Sequence, residues 1–343
     1  SESAAQIPGL YALNRQNYAQ DVMISSRGFG SNSAFGARAV KIYVDGIPAT
    51  IADGQGQTSH IDLASADRIE VLRGPFSSMY GNSAGGVIQV FTERGQPGIE
   101  VTPYASYGSF GTTKYGVKVG GDSGRINYLI DANRFDTNGS RDHSSADRNT
   151  TNAKLAIQLG SDSQLTIIGN SFKTTAQDPL GLSLSAINSN SQAAGYNASA
   201  WNSRKSVEQN QGGLELLKKI DSNSQLKLTG YYGQRNQDQY QAPSSTTTLY
   251  TASNTTTNGT IYKGGEISLD RSFYGYDLQY QSNFSIAKGA KFVLGLAYDK
   301  NTDKSTSSCN QLGVIVNCPS SPTSLYTNAA FNAQNFDQYM QTQ

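Results

Sequence analysis

From about Gly98 onward, apolar and polar residues alternate at period 2 in one strand-length segment after another, and this limits the possible folds more than anything else in the chain. Ala153, Leu155, Ile157 and Leu159 fall on one face of a strand, with Asn152, Lys154 and Gln158 on the other. Leu226, Leu228 and Tyr232 alternate with Lys227, Thr229 and Arg235, and Phe292, Leu294, Leu296 and Tyr298 with Val293, Ala297 and Asp299. Similar patterning surrounds residues 115–119, 126–133, 165–172, 214–217 and 276–281. A lipid-facing surface backed by a polar lumen produces such alternation. So does a soluble all-β protein, and composition alone does not separate the two.

The connections do separate them. Short turns at 121–124, 160–162, 221–223 and 287–289 alternate with long polar segments at 136–148, 176–203, 239–265 and 302–334. Short turns at one end and long loops at the other are the asymmetry of outer-membrane barrels, and a sandwich rarely sorts its loops this way. The tract Ser244 to Thr260 reads as a solvated loop. About nine complete strands can be counted, with a tenth beginning near Gln334.

Hydropathy fits this reading. The mean hydropathy of −0.48 would suit a soluble protein, and no apolar run approaches the roughly 18 residues of a membrane helix. A barrel hides its lipid face in the alternation, so neither value argues against one. With 27 basic and 26 acidic residues, nothing in the charge calls for nucleic acid. His60 and His143 are the only histidines, and neither has the spacing of a metal or nucleophile motif; each reads as a turn or surface residue. Asp142-His143 could in principle bind a metal but lacks a cluster around it. Cys309 and Cys318 sit in a Ser/Asn/Pro-rich loop and read as a stapling disulfide in an oxidising compartment, with two unpaired thiols as the alternative.

The segment before Gly98 has a different texture. DLASADRIEVLRGPFSSMYGNSAGGVIQVFTERG (Asp62 to Gly95) places an alternating strand, a Gly74-Pro75 break, the turn glycines Gly81, Gly85 and Gly86, and a second strand in fixed order. SSRGFG (Ser25 to Gly30) and KIYVDGIP (Lys41 to Pro48) precede it, with Asp45-Gly46 as a tight turn. These three blocks, in this order, resemble the plug domain of TonB-dependent outer-membrane receptors. NRQNYAQD (Asn14 to Asp21), RGFGSNSAFGAR (Arg27 to Arg38), VDGIPATIADGQGQTSHIDL (Val44 to Leu63), YGSFGTTKYG (Tyr107 to Gly116) and NRFDTNGSRDHS (Asn133 to Ser144) are similar to the pyrroloquinoline quinone receptor subfamily.

The resemblance implies an all-β dominated fold: a mixed α/β plug over 1–97, then the first part of an antiparallel transmembrane barrel over 98–343, about 9–10 of roughly 22 strands. The chain then opens inside the plug, with no signal peptide before Ser1, and stops before barrel closure. It implies TonB-dependent import of a small scarce ligand across the outer membrane of a Gram-negative bacterium, without enzymatic chemistry or a cofactor. TonB, engaged through an N-terminal box, a small-molecule ligand and outer-membrane lipid are the implied partners of a monomer. Arg27 and Arg73 correspond to plug arginines that latch onto barrel glutamates. The segments 30–38 and 52–60 correspond to plug apices that floor a ligand vestibule. Arg38, Gln55, Gln57, Arg134 and Arg141 are candidate ligand contacts, since guanidinium and amide groups suit a planar tricarboxylate; ordinary lumen or loop polarity is the competing explanation. Ferric siderophore or ferric dicitrate is the alternative cargo, and a plugless adhesin or phage-binding barrel the alternative class.

Overall fold

The computed structural model describes residues 7–33, 36–73, 80–81, 83–242, 264–284, 290–311, 314–316 and 323–340. Eight short strands come first: β1 (Leu10–Leu13), β2 (Met23–Ser26), β3 (Ala37–Arg38), β4 (Val40–Val44), β5 (Ile47–Pro48), β6 (Gln55–Gly56), β7 (Ala66–Leu72) and β8 (Gly86–Thr92). They form two four-stranded sheets, ordered β1-β2-β3-β6 and β5-β4-β8-β7. Strand β4 runs parallel to β8 and pairs Ile42 with Ile88 and Val44 with Val90, which aligns their apolar residues. Leu10, Ala37, Val40, Ile42, Ala49 and Ile88 close into one core. Each fully buried aliphatic side chain there contributes about 1.5–3 kcal/mol.

Two backbone sites fix the geometry. Asp45 (φ 47°) and Gly46 (φ 82°) join β4 to β5, both left-handed, as a two-residue hairpin turn of the primed type requires. Gly86 (φ 119°) opens β8, and a Cβ there would lie 2.6 Å from the Leu72 carbonyl oxygen, so only glycine fits.

Nine long strands follow: β9 (Gly98–Gly108), β10 (Thr112–Asp122), β11 (Ile126–Thr137), β12 (Ala146–Gln158), β13 (Ser163–Gln177), β14 (Arg204–Lys219), β15 (Ser224–Tyr240), β16 (Gly264–Phe284) and β17 (Ala290–Gln311). Each pairs antiparallel with the next. Strands β18 (Val314–Val316) and β19 (Thr323–Met340) both pair with β17, β18 at its last residues and β19 along 290–306. A short helix, α1 (Leu184–Ser189), capped by the Ser183 hydroxyl, sits in the loop between β13 and β14. Turns of 123–125, 159–162 and 220–223 lie at one end of this wall, and the segments 138–145 and 178–203 at the other.

The register explains the alternation. Cross-strand partners outside the wall form rows, and Ile157, Leu165, Leu216, Leu228, Leu278 and Leu296 make one continuous row over six strands. Two residues further toward the long loops the row reads Leu155, Ile167, Leu214, Gly230, Tyr276, Tyr298, and the next Ala153, Gly169, Gly212, Tyr232, Tyr274, Lys300. The row after that is wholly polar: Thr151, Ser171, Asn210, Gln234, Ser272, Thr302. The outer surface therefore passes from an apolar band to a polar collar within two or three steps of about 6.8 Å along the strand.

The collar also corrects one loop assignment. The polar run 302–311 continues β17, and β19 begins at Thr323, so most of the segment read as a loop over 302–334 is strand. Above an apolar band both faces of a strand can be polar, and the loss of alternation then marks the edge of the lipid rather than the end of the ladder. The Ser244–Thr260 tract and Cys318 lie outside the described residues, and so does the side chain of Cys309 and with it the expected disulfide.

Ile42, 1% exposed at the centre of the core, tests the plug assignment. Ile42→Ala should lower stability by about 2–5 kcal/mol. Denaturant titration followed by proteolysis within residues 7–97 should show the shift while the 98–340 wall stays protected.

Candidate functional site

The two plug sheets lie against the lumen face of the wall, and polar side chains of both surfaces meet. At the short-turn end, the Gly95 amide donates to Asn127 Oδ1 (3.1 Å) while Asn127 Nδ2 donates to the Gly95 carbonyl (2.8 Å). Gly95 must be glycine there, because a Cβ would stand 2.4 Å from the Gly121 backbone. Lys154 of β12 reaches Asp45 Oδ1 at 2.9 Å and Thr92 Oγ1 at 3.2 Å, and Asp45 also accepts from the Thr92 amide (3.0 Å). Lys41 of β4 pairs with Asp299 of β17 at 3.1 Å, and Tyr231 donates to the same carboxylate. Both ion pairs are largely shielded from solvent.

At mid-height the wall offers amides. Asn133 Nδ2 donates to Asp62 Oδ1 (3.2 Å), Asn152 to Ser65 Oγ (3.2 Å) and Asn170 to the His60 carbonyl (3.3 Å). Asn152 and Asn170 are direct cross-strand partners, so the three side chains step along the plug from one strand to the next.

Nearer the long loops the charges concentrate. Gln209, Arg235, Arg271 and Asp303 occupy one lumen row across β14 to β17. Arg271 holds Asp303 through two bonds of 2.7 and 2.5 Å. Arg235, 1% exposed, donates to Gln209 Oε1 (2.8 Å) and faces Asp21 and His60 of the plug. Asp21 accepts from the Ser59 amide (3.3 Å) and sits 3.7 Å from Lys205. Burial pushes the Asp21 carboxyl up, but Lys205 and Arg235, helped by Ser59, outweigh it and hold it below the usual range. His60 is the opposite case: burial, then Arg235, drive its pKa down to about 3 against the pull of Asp21. His60 is thus neither exposed nor in a free turn, as its sequence context suggests, but a fully buried neutral imidazole at the plug–wall contact.

The loop of 178–203 is tied to the plug as well. Asp178 accepts from Asn17 Nδ2 and Gln20 Nε2, each at 2.8 Å. Arg141 spans two loops, donating to the carbonyls of Ala193 (3.0 Å), Leu180 (2.7 Å) and Pro179 (3.1 Å). His143 Nε2 lies 2.8 Å from the Ser203 carbonyl.

The residues expected to contact ligand divide accordingly. Arg38 and Gln55 are direct partners across β3 and β6, so their side chains leave one face of that sheet, and Gln57 follows two residues on. Arg38 is exposed and Gln55 and Gln57 half-buried. Arg134 is elsewhere: it shares the outer face of β11 with Ile130 and pairs with Asp136 at 2.6 Å. Even-numbered positions of β11 point away from the lumen, and one residue of phase separates Arg134 from the inward Asn133. Arg141 spends its guanidinium on loop carbonyls. Arg27 and Arg73 come together beside Gly9, where Arg73 donates to the Pro8 carbonyl and the Arg27 amide to the Gly9 carbonyl (2.8 Å). Both are exposed, and neither meets a glutamate among the described residues.

The sequence marks Asp45 as a turn residue and Lys154, Arg235 and Asp299 as members of alternating strands, but does not mark these, or Lys41, Asp21 and Lys205, as plug–wall contacts. The lumen phase of each strand was readable, but which plug residue lies opposite is a tertiary fact.

This architecture has known counterparts. Residues 1–87 match the family described as TonB-dependent Receptor Plug Domain. Residues 1–87 therefore carry a plug of that description, and the chain as a whole shares its fold with solved transporter structures. It superposes on the unliganded ferric citrate transporter FecA with a TM-score of 0.74 at 18% identity, over 97% of this chain and 51% of that one. For the ferric yersiniabactin uptake receptor FyuA of Yersinia pestis the values are 0.64, 15%, 95% and 57%. For the ferripyoverdine receptor of Pseudomonas aeruginosa they are 0.65, 15%, 90% and 41%. The chain thus spans about half the length of these relatives. The location that goes with this plug and wall is the outer membrane of a Gram-negative bacterium. No described helix is long and apolar enough to cross a membrane, which says nothing of a wall built from strands.

Two measurements probe the seat. Lys154→Met leaves Asp45 buried without its cation, and should cost about 3–5 kcal/mol in denaturant titrations; adding Asp45→Asn should recover part of it. His60 is neutral when buried, so its contribution is complete above its ordinary value of 6.5 and is lost as pH falls toward about 3. The slope in that window is at most about 1.4 kcal/mol per pH unit. Asp21, whose folded value is lowered, adds acid sensitivity only below the ordinary carboxylate range. The melting temperature should therefore fall more steeply between pH 6.5 and 4.5 for the native protein than for His60→Gln.

Proposed function

We propose that the protein serves in TonB-dependent import of a small polycarboxylate across the outer membrane, with pyrroloquinoline quinone as the cargo. The observation that carries the reading is a plug seated in a barrel wall through polar contacts. Such an arrangement blocks a pore with a removable part, which transport needs and an adhesin does not. Transport of this kind moves a ligand and breaks no covalent bond. TonB would act on the plug, with energy from the inner-membrane proton gradient.

Cargo chemistry is supported by the Arg38–Gln55 pair. A guanidinium and an amide side by side on one sheet face present donors and an acceptor to a planar carboxylate. Gln57 extends the same edge, whereas Arg134 lies on the outer face beside Asp136 and Arg141 is bonded to loop carbonyls, so the reading leans on Arg38, Gln55 and Gln57. Arg27 and Arg73 are proposed as a plug latch on the sequence resemblance alone, since in this structure both are exposed and Arg73 donates to the Pro8 carbonyl. The sequence resemblance of the plug and first wall strands favours pyrroloquinoline quinone. Ferric dicitrate is the second reading, because the same guanidinium suits any polycarboxylate and the ferric citrate transporter shares the fold.

Isothermal titration of the full-length protein with pyrroloquinoline quinone and with ferric citrate distinguishes them. Saturable heat with the first is expected; heat only with the second moves the assignment to the ferric complex. Arg38→Ala should weaken binding by about 1–3 kcal/mol, the value of a charge-assisted hydrogen bond. Arg73→Ala should leave affinity almost unchanged while lowering TonB-dependent uptake.

A further inference from the structure

Arg148 of β12 is a lumen residue that the seat of the plug does not use. It shares the strand phase of Asn152 and Lys154 and stands four residues nearer the long loops than Asn152, about 13 Å along the strand. Two rings hold it. Phe135, its direct partner on β11, has its centroid 5.5 Å from the guanidinium carbon, and Phe172 of β13, which is fully buried, stands at 5.8 Å. Tyr18 of the plug packs on Phe135 with centroids 5.3 Å apart. Ring faces attract a cation but offer it no carboxylate or carbonyl oxygen. Arg148 Nε is shut off from solvent without a hydrogen-bond partner, and the other two guanidinium nitrogens find none among the described residues.

The same side chain borders a cavity of about 660 Å³ along the plug. Asp21, Asp67, Arg68 and Arg148 are the charged residues that line it. Asp21 is paired with Lys205 and Asp67 with Arg68, so Arg148 alone brings a charge with no counter-ion among the described residues. Its neighbours in the lining are donors. Asn14 Oδ1 is taken by the Gln16 amide (2.9 Å), which leaves the Nδ2 hydrogens of Asn14 for another acceptor, and the Tyr18 hydroxyl has no partner among the described residues. Much of the remaining lining is apolar, with Ile61, Leu63 and Val90 in it. An uncompensated guanidinium with donors beside it and an apolar surface beyond calls for an anionic group on an apolar body.

We propose that Arg148 takes a carboxylate of the cargo in a bidentate pair, with Tyr18 and Asn14 donating to the same molecule. That the anion is a carboxylate rests on the polycarboxylate reading above. Thr58 and Ser59, next in the chain to Gln57, also line the cavity, which joins this subsite to the Arg38–Gln55–Gln57 edge. The phenyl rings fix the guanidinium plane beforehand, so the ligand need not order a long side chain.

The test is isothermal titration of the full-length protein with pyrroloquinoline quinone and with its trimethyl ester, which keeps the ring system and removes the charges. Arg148→Met should weaken binding of the acid about tenfold and leave the ester almost unchanged. Arg148→Lys keeps the charge and loses the fork; it should weaken the acid about threefold, again sparing the ester, and carries the test should the methionine variant fold poorly. A native protein that binds ferric citrate instead should show the same tenfold loss for that ligand in Arg148→Met, because the carboxylate and not one cargo is what Arg148 needs. Unchanged acid binding in both variants, or equal losses for acid and ester as a purely structural role would give, overturns the subsite and leaves the polycarboxylate reading standing. No heat from the native protein with either pyrroloquinoline quinone or ferric citrate overturns both.

Discussion

Backbone hydrogen bonding without water is the constraint on which the structure depends. In hydrocarbon every N–H and C=O must find a partner within the protein, and paired antiparallel strands supply one from β9 to β17. That requirement fixes the side chains next. One face must suit lipid, and Ile157, Leu165, Leu216, Leu228, Leu278 and Leu296 form a continuous apolar row across six strands. The opposite face is thereby free to be polar, and the plug must match it. Asp45, Asp21 and the Asp62–Ser65 turn meet Lys154, Lys205 and the lumen asparagines because an apolar plug surface would have nothing there to bury against.

A seat of this kind differs from an ordinary core. Each ion pair loses hydration when it forms, so its net contribution is small although breaking it on one side is costly. The asparagine bonds are individually modest and exchangeable with water. Plug and wall are therefore specific for each other without being fused. The plug's own core of Leu10, Val40, Ile42 and Ile88 is apolar and internal, so its two sheets keep their packing whatever happens at the seam.

Much of this was legible in the sequence, and what was not has physical reasons. Period-2 alternation revealed which residues of β12, β15 and β17 face lipid, since one slipped residue would reverse the whole strand. Asp45-Gly46 was readable as a turn because left-handed pairs of that composition have few other uses. The upper part of β17 escaped notice because alternation ceases where both faces are polar. Guanidinium chemistry alone makes Arg134 a candidate ligand contact, although it shares the strand phase of Ile130, which points outward. His60 was hidden for another reason: burial beside Arg235 comes from two segments 175 positions apart, which no local pattern records.

Asp178 carries a consequence of a different sort. It begins the 178–203 segment, yet its two carboxylate oxygens are held by Asn17 and Gln20 of the plug. Arg141 fastens the neighbouring loop to the same segment through three carbonyls. The rim of the wall and the first residues of the plug thus share a single footing. A displacement of Asn17 and Gln20 removes that footing from the loops above, so the mouth of the wall registers the position of its stopper.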